Sequence, residues 1–476
     1  MIKLATSLSV TLSLIATIGC ADVSKNKTAS TVVNAAEKTV NEPNKKPNIV
    51  LFFVDDMGWA SRTSKNSHYE TPNIEKLAGD GVDFNSMYIP TPTCSPSRAT
   101  LVTGQHPARI KMVRHIPHKP QYGFDEYGRT EQRFHYWEKD PAKVPSVNWL
   151  DTEYTTYAEA LKEQGYYNMF VGKWHLGHEG YLPTDQGFDQ QRGTTNWGHP
   201  KSYYAPFFKN SDVYKDVKEG YLTDKLTDDA VEFIEEFDQD KPFMLSMWYY
   251  GIHSPLQGRK DLYEHYKQKG LSDKEAHHAA LVGGVDESIG RIRQALSDKN
   301  IDKNTIVIFL SDQGGLLDNA PLQGGKKIDT LFEGGARVPF IVSWPGVTQA
   351  GKTNDSVVQS TDLFPTLIEI SGGNVEKYQN LDGISLVETI KNNSKLTRTE
   401  PIYGYRAYED LYASVREGDW KLLAYRSGKL KLFNIENDMS EKVDLATENP
   451  IIVTKLKAKL VNWEKEMEVE QYSGVQ

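Results

Sequence analysis

The distribution of apolar positions along the chain predicts a buried, mainly parallel sheet over its first three quarters. Short continuous apolar runs are typical of strands covered on both faces, whereas helices show an apolar stripe with a period of about 3.6 residues. The continuous runs occupy 48–54, 167–171, 242–250 and 305–310, and a further strand is predicted over 82–87. Helical patterns lie between them, over 71–81, 153–164, 222–237 and 273–297. This alternation predicts an α/β fold with a large, mainly parallel sheet sandwiched by helices.

A different pattern begins near residue 374, where short alternating runs replace the continuous ones. Runs over 411–415, 420–425 and 429–433 are typical of antiparallel strands with one solvated face, and a helix is predicted from about 450 to 468. We therefore expect a large domain over 47–373 and a smaller one over 374–476, with an antiparallel sheet and one packed helix.

The N-terminus has the pattern of an export signal. Residues 1–20 combine a lysine near the start with an apolar run over 8–18, which is too short to span a membrane. The residues before Cys20 are close to a bacterial lipobox, so we predict lipid attachment there. The protein would then be exported to the periplasm or cell surface and anchored to the outer membrane. An ordinary signal peptide cleaved nearby is the alternative.

The composition and charge of the chain limit the kinds of molecule that the protein is expected to bind. Residues 21–46 hold hardly any large apolar side chain and predict a flexible tether. The 476-residue chain has 55 Lys and Arg against 64 Asp and Glu, a net charge of −9. This balance argues against nucleic acid as a partner, and it means that an anionic substrate must be bound by a local cluster of cations. With only Cys20 and Cys94 present, no intramolecular disulfide is expected.

Polar side chains follow four of the predicted strands, where ligands bind in open α/β sheets. We expect a shared site formed by Asp55, Asp56, Lys173, His175, His253, Asp312 and Gln313. The oxygen ligands of Asp55-Asp56 and Asp312-Gln313 suit Ca²⁺, with Mg²⁺ as the alternative ion. Either pair alone would more often be a helix cap or a solvated loop, but two pairs directly after buried strands favour a metal site.

A short segment around Cys94 gives this site a candidate reactive group. Cys94-Ser-Pro-Ser-Arg98 has the composition of a helix start, whose free amides and dipole would bind an anion together with Arg98. The alternative is a buried, inert cysteine and an arginine in a surface ion pair.

Several strings in the chain together resemble one enzyme family, the type I sulfatases of the alkaline-phosphatase-like superfamily. The resemblance covers nearly all of the chain after the tether, and includes polysaccharide sulfatases of marine bacteria. It rests on Asn48-Ile-Val-Leu, Asp55-Asp56-Met-Gly, Cys94-Ser-Pro-Ser-Arg98, Gly172-Lys-Trp-His-Leu-Gly177, His253-Ser-Pro255, Asn319-Ala-Pro-Leu-Gln-Gly-Gly-Lys326 and Glu333-Gly-Gly-Ala-Arg-Val-Pro339.

The resemblance implies a reaction and a role for each matched residue. Cys94 would be oxidised to formylglycine by a dedicated maturation enzyme, and its hydrate would attack the sulfur of a sulfate ester. Arg98 and Lys173 would hold the formylglycine, while His175 would take a proton from its remaining hydroxyl. The implied Ca²⁺ ligands are Asp55, Asp56, Cys94 as formylglycine, Asp312 and Gln313.

The resemblance also implies two contacts to the sulfate and its leaving alcohol, from His253 and Lys326. Gln313 stands where the family more often has Asn or His, so its amide would reach the ion on a longer arm. The stretch from Lys326 to Glu333 is longer than in many members, which leaves Lys327 open as the working lysine.

Two irregular segments, 106–150 and 197–214, predict a rim that selects the substrate. They contain Arg114, His115 and His199, which suit binding to a sulfated carbohydrate. We expect a sulfated algal polysaccharide or its oligosaccharides, such as ulvan or carrageenan. The alternatives are a phosphoesterase of the same superfamily and a non-catalytic carbohydrate-binding lipoprotein.

Overall fold

The computed structural model describes residues 45–469 except 139, 141, 142, 318 and 408. The predicted signal, the lipidation site Cys20 and nearly all of the tether therefore lie outside the described residues. The described chain belongs to a single compact unit. Within the described ranges, no helix is long and apolar enough to cross a membrane.

The strands and helices follow the predicted alternation. The strands are β1 (Asn48–Val54), β2 (Val82–Tyr88), β3 (Phe134–Tyr136), β4 (Pro145–Val147), β5 (Tyr167–Gly172), β6 (Gln190–Arg192), β7 (Phe243–Trp248), β8 (Thr305–Ser311), β9 (Arg337–Ser343), β10 (Lys352–Asn354), β11 (Val358–Gln359), β12 (Ile402–Tyr405), β13 (Leu411–Glu417), β14 (Trp420–Tyr425) and β15 (Leu430–Asn434). The helices are α1 (Pro72–Asp80), α2 (Cys94–Thr103), α3 (Tyr157–Glu163), α4 (Leu222–Glu236), α5 (Lys260–Gln268), α6 (Asp273–Asp298), α7 (Glu333–Ala336), α8 (Leu363–Ile370), α9 (Val387–Asn392) and α10 (Pro450–Glu466).

The large sheet confirms the predicted α/β class. Its strand order is β10-β2-β9-β8-β1-β7-β5-β6, with β11 also pairing with β2. All of these strands run parallel except β9, which is antiparallel to both β2 and β8. The four strands β8, β1, β7 and β5 are consecutive neighbours at the centre. Their carboxyl ends therefore meet along one edge.

Two apolar cores cover the two faces of this sheet, because successive residues of a strand point to opposite sides. In β1, Leu51 and its odd-numbered neighbours pack in the core formed with α2, α3, α8 and α9, whereas Phe52 and its even-numbered neighbours pack with α1, α4, α5 and α6. All seven β1 residues are buried. This explains why every position from Ile49 to Val54 is apolar, with Asn48 at the start of the strand as its single polar residue.

A second, antiparallel sheet has the order β12-β13-β14-β15 and packs against α10, as the sequence predicts. Strand β12 lies outside the runs identified in the sequence.

Two segments of the large domain differ from their predictions. The helix predicted over 153–164 begins later, at Tyr157, because Thr156 caps it. The Thr156 hydroxyl accepts a hydrogen bond from the Glu159 amide at 3.2 Å, and the Glu159 carboxylate accepts one from the Thr156 amide at 2.8 Å. The segment 106–150, expected to be irregular, contains the hairpin β3–β4.

A buried charge network joins the two sheets. Glu333, fully buried at the start of α7, accepts hydrogen bonds from Lys421 of β14 at 2.7 Å and from the Tyr88 hydroxyl of β2 at 2.6 Å. Lys421 also pairs with buried Glu441 at 3.0 Å. Burial acts to raise the pKa of Glu333, but the charge of Lys421, followed by that of Arg337, lowers it to about 2.

Removing the ammonium group from this network should destabilise the fold. In Lys421→Met, Glu333 and Glu441 would stay buried without their shared cation, so we expect the free energy of unfolding to fall by about 3–5 kcal/mol. Urea titration followed by tryptophan fluorescence measures this change. The matched control is Lys455→Met, which removes an exposed lysine paired with Glu417 and should cost at most about 1 kcal/mol. Equal effects of the two substitutions would contradict a stabilising role for the network.

Candidate active site

The central strands bring the predicted carboxylates together. Asp55 follows β1 and Asp312 follows the adjacent strand β8, where the Asp312 amide donates to the carbonyl of Val54 at 3.0 Å. The Asp56 amide donates to the Asp312 carboxylate at 3.0 Å, and Asp56 adopts a left-handed conformation with φ of 66°. This tight turn places two successive carboxylates beside the end of β8.

Asp55, Asp56 and Asp312 are completely buried, and one carboxylate oxygen from each lies within 4.8 Å of the others. The Gln313 side-chain amide completes the group, donating to Asp56 at 2.8 Å. Burial raises the pKa of Asp56 to about 7 and that of Asp312 to about 6. For Asp55, burial is outweighed by neighbouring positive charges, led by Lys173, and the pKa is lowered.

Three buried or nearly buried cations surround these carboxylates. Arg98 donates to the carbonyl of Lys173 at 2.6 Å and lies 3.3 Å from a carboxylate oxygen of Asp55 and from one of Asp312. The Lys173 ammonium contacts Asp55 directly. Within the described chain, Lys326 is the lysine that contacts Asp56, whereas its neighbour Lys327 is exposed at the cavity wall. The geometry thus gives the two adjacent lysines different positions.

Cys94 is the first residue of α2 and lies beside this cluster. Its Sγ is 3.8 Å from a carboxylate oxygen of Asp55 and 3.4 Å from the amide nitrogen of Gln313. Burial, followed by the charge of Asp55, raises the pKa of the Cys94 thiol to about 12. At neutral pH the unmodified side chain is therefore a neutral thiol and a poor nucleophile.

Two histidines flank Cys94 in the same cavity. A ring nitrogen of His253 lies within 4.8 Å of ligand atoms of Asp55 and Cys94, and His253 Nδ1 donates to the Ser254 carbonyl at 2.7 Å. A carbonyl oxygen only accepts, so the proton is on Nδ1 and Nε2 is the bare nitrogen. Burial, followed by the charge of Lys326, holds the pKa of His253 well below its usual value.

His175 is held in place on three sides. Its Nε2 donates to the Ile116 carbonyl at 3.0 Å, which leaves Nδ1 as the bare nitrogen. The His118 ring stacks on it with centroids 5.2 Å apart. A Cβ atom built on Gly198 would lie 2.3–2.7 Å from three atoms of the imidazole, so only glycine fits there without moving the ring. Burial, followed by the charge of Lys173, holds the pKa of His175 well below its usual value.

A cavity of about 950 Å³ opens above Cys94. The three predicted substrate-binding residues, Arg114, His115 and His199, all line it. The Arg114 guanidinium lies 3.1 Å from the centroid of the Trp137 ring, and the His199 ring stacks on His253 with centroids 5.8 Å apart.

Not every aromatic residue in the predicted rim is on the surface. Tyr203, within the segment 197–214, is fully buried and donates its hydroxyl to the carbonyls of Tyr250 and His253, at 2.7 and 2.8 Å. It supports the backbone around His253 and does not line the cavity. Sequence reasoning also missed Arg406 and Glu409, which line the cavity from the turn after β12. No local motif marks them, because only the packing of the second sheet brings this turn to the site.

Comparison with known protein families agrees with this geometry. The sulfatase family model matches residues 47–373, more than half of the chain. The chain belongs to the sulfatase family. A second model, "N-sulphoglucosamine sulphohydrolase, C-terminal", matches residues 327–466.

Individual relatives cover most of this sulfatase. A sulfatase of Formosa agariphila is 28% identical, with 90% of each chain covered. The mouse N-acetylgalactosamine-6-sulfatase is 31% identical over 76% of this chain and 69% of its own. The crystal structure of Ps i-CgsB in complex with k-i-k-neocarrahexaose has a TM-score of 0.76 and 30% identity, covering 90% of this chain and 94% of the other. The protein is therefore a sulfuric ester hydrolase, as the sequence predicts.

The packing of Gly198 against His175 generates a prediction for this sulfatase. In Gly198→Ala the new methyl group would displace the imidazole, since a histidine ring yields more easily than backbone. We expect kcat/KM on an aryl sulfate to fall by about 10²-fold, the cost of misplacing an active-site group by about 1 Å. Initial rates measure this, and the midpoint of thermal unfolding should fall only slightly, by the cost of overpacking one buried position.

The matched control for this substitution is Gly79→Ala. A Cβ atom at Gly79, in helix α1, meets no other atom within 4 Å. It should leave kcat/KM unchanged, so any general effect of adding a methyl group is separated from the effect on His175. Full activity of Gly198→Ala would show that the position of the His175 ring does not matter for turnover.

Proposed function

We propose that this protein hydrolyses sulfate esters on a carbohydrate, with a sulfated algal polysaccharide or its oligosaccharides, such as carrageenan or ulvan, as the substrate class. The observation that carries the proposal is the position of Cys94 on the floor of a large cavity, against three buried carboxylates and three cations. The carbohydrate assignment is supported by two relatives, because one was crystallised with k-i-k-neocarrahexaose and another is an N-acetylgalactosamine-6-sulfatase.

The reactive form of Cys94 is proposed to be formylglycine, installed by a maturation enzyme of the host. The raised pKa of the Cys94 thiol supports this, because it makes the unmodified side chain a poor nucleophile at neutral pH. When present, the hydrated aldehyde would supply an oxygen nucleophile toward sulfur. Arg98 and Lys173, fixed in the buried cluster beside Cys94, would hold this group in place.

The remaining residues would bind the ester and move protons. Lys326 faces the cavity and can donate to sulfate oxygens and to the departing alcohol, where charge develops as the S–O bond breaks. His253 also faces the cavity, and its bare Nε2 would donate to these oxygens once it has taken up a proton. Loss of one such contact typically costs about 10²–10³-fold in kcat. His175 is held neutral with a bare Nδ1, so it can accept a proton from the nucleophile.

The carboxylate cluster fits Ca²⁺, with Mg²⁺ as the alternative. Asp55, Asp56 and Asp312 offer hard oxygen ligands at mutual distances that one ion can bridge, and the carbonyl oxygen of Gln313 can join them after rotation of its amide. The raised pKa values of Asp56 and Asp312 show that burial disfavours full ionisation of the cluster, which a divalent cation would compensate. When bound, the ion would supply Lewis-acid polarisation to the nucleophile and the sulfate.

Export and lipid attachment at Cys20 complete the proposal and rest on the sequence of the first 20 residues. A surface or periplasmic location suits an enzyme that acts on polysaccharide outside the cell. Fractionation of cells that produce the full chain tests the anchor, which predicts recovery with the outer membrane.

A direct test compares one fluorescent aryl group as its sulfate and as its phosphate, using protein produced together with a formylglycine-generating enzyme. We expect kcat/KM to be higher for the sulfate, and we expect Cys94→Ala to lose more than about 10³-fold in kcat while keeping its thermal midpoint. Mass spectrometry of the peptide containing Cys94 shows whether the thiol has been converted. Preference for the phosphate, or full activity of Cys94→Ala, would refute the proposal.

Removal of the metal should affect both activity and stability. We expect EGTA to abolish turnover and to lower the thermal midpoint, because the buried carboxylates would lose their compensating ion. Addition of excess Ca²⁺ should restore both, and restoration by Mg²⁺ alone would identify the alternative ion. The control is Asp312→Asn, whose thermal midpoint should respond less to EGTA than that of the unaltered protein. An activity insensitive to both EGTA and EDTA, which also removes Mg²⁺, would contradict the metal assignment.

A further inference from the structure

The cavity above Cys94 is strongly basic, although the chain as a whole carries a net charge of −9. Apart from Lys326, six cationic side chains line it, while Glu409 is the single acid among the described lining residues. The six are Arg114, Lys119, Lys201, Lys209, Lys327 and Arg406. One sulfate ester, already contacted by the groups on the floor, does not account for this excess.

The two arginines are held by the protein itself. Arg114 stacks on Trp137, and Arg406 pairs with Glu409 at 3.0 Å while donating to the Pro92 carbonyl at 2.6 Å. These contacts fix both guanidinium groups in the wall. The charge of Arg406 is offset by Glu409, an acid that lines the cavity.

The four lysines differ from the two arginines in their exposure to solvent and in their ion pairing. Lys119, Lys201, Lys209 and Lys327 are all exposed, and none of them forms an ion pair with a carboxylate in the part of the chain that the structure describes. Exposed lysines elsewhere often have such partners, as Lys455 does with Glu417. Positive charges around a concave wall repel each other and concentrate a field that attracts anions.

Three of these lysines are also attached to the segments that position the floor of the site. Lys119 follows His118, which stacks on His175. Lys201 lies two residues after His199, which stacks on His253, and Lys327 follows Lys326. A substrate with its ester on the floor would therefore extend its remaining part along a wall that carries these lysines.

We infer that the substrate carries at least one further anionic group besides the sulfate that is cleaved, and that Lys119, Lys201, Lys209 and Lys327 recognise it. The group is a sulfate or a carboxylate on a neighbouring part of an oligosaccharide, since both are anions that lysine binds. The cavity volume of about 950 Å³ lies at the upper end of small-molecule sites, which leaves room for more than one sugar ring. Trp197 in the wall offers an aromatic surface for such a ring. This inference rests on the proposed function and specifies its substrate.

The test measures inhibition of aryl sulfate turnover by matched pairs of oligosaccharides, using the matured enzyme. The sulfate arm compares carrageenan oligosaccharides that carry two sulfates with otherwise identical ones that carry one, so that a sulfate for the floor of the site is present in both. The carboxylate arm compares oligogalacturonates with their methyl esters. In at least one arm, the more anionic member should have an inhibition constant at least about tenfold lower than its partner. This difference should shrink when the salt concentration rises from 50 to 300 mM, because the screening length falls from about 14 to about 6 Å.

A charge-removing variant assigns the effect to the cavity. In Lys119→Met/Lys201→Met/Lys209→Met, the ratio of the two inhibition constants should fall toward 1 while the thermal midpoint is unchanged. The matched control is Lys395→Met/Lys442→Met/Lys457→Met, which removes three exposed lysines outside the cavity and should leave the ratio intact.

The outcomes separate this inference from the proposed function. Discrimination in the sulfate arm alone assigns a second sulfate, and discrimination in the carboxylate arm alone assigns a carboxylate. Equal inhibition by the two members of each pair in both arms, or full discrimination in the variant that lacks Lys119, Lys201 and Lys209, would overturn the inference. Failure to hydrolyse any sulfate ester would instead refute the proposed function itself.

Discussion

Three carboxylates buried at one edge of a sheet are the constraint on which the rest of this structure depends. Asp55, Asp56 and Asp312 have no exposure to solvent, and charges in such a place are costly unless they are paired. Their partners Arg98, Lys173 and Lys326 come from a helix and two loops that are distant in sequence. The parallel order β8-β1-β7-β5 is what allows these segments to meet.

The sheet meets this constraint because both its faces are covered by apolar cores. Alternate residues of β1 belong to different cores, so the strand is fixed from both sides before its chain reaches Asp55. The edge is thereby rigid, and the loops beyond it are left to form the cavity. Preorganised groups on such a rigid edge need little rearrangement when charge develops during a reaction.

The second sheet contributes to the site as well as to stability. Glu333 and Lys421 connect it to the large sheet through a buried ion pair, and the turn after β12 supplies Arg406 and Glu409 to the cavity wall. The acidic surface of the protein and the basic interior of the cavity are therefore separate features. The overall charge does not describe the place where a substrate binds.

The sequence by itself determined the fold class, the family and the residues at the centre of the site. Continuous apolar runs followed by polar residues are local signals, and the carboxyl ends of parallel strands necessarily share an edge, so the convergence of Asp55, Lys173 and Asp312 was predictable. The start of a helix at Cys94 was equally predictable from the sequence, because capping and proline preferences act within one helical turn.

Only the tertiary structure decided how the cavity is built. It placed Lys326 against Asp56 and left Lys327 exposed at the cavity wall. It also buried Tyr203 behind the site and packed Gly198 against the His175 ring. Finally, it brought Arg406 from the second sheet to the cavity. None of these has a sequence period or motif, because each depends on contacts between segments that are far apart in the chain. Loops are positioned by what they pack against, and their own residues do not reveal it.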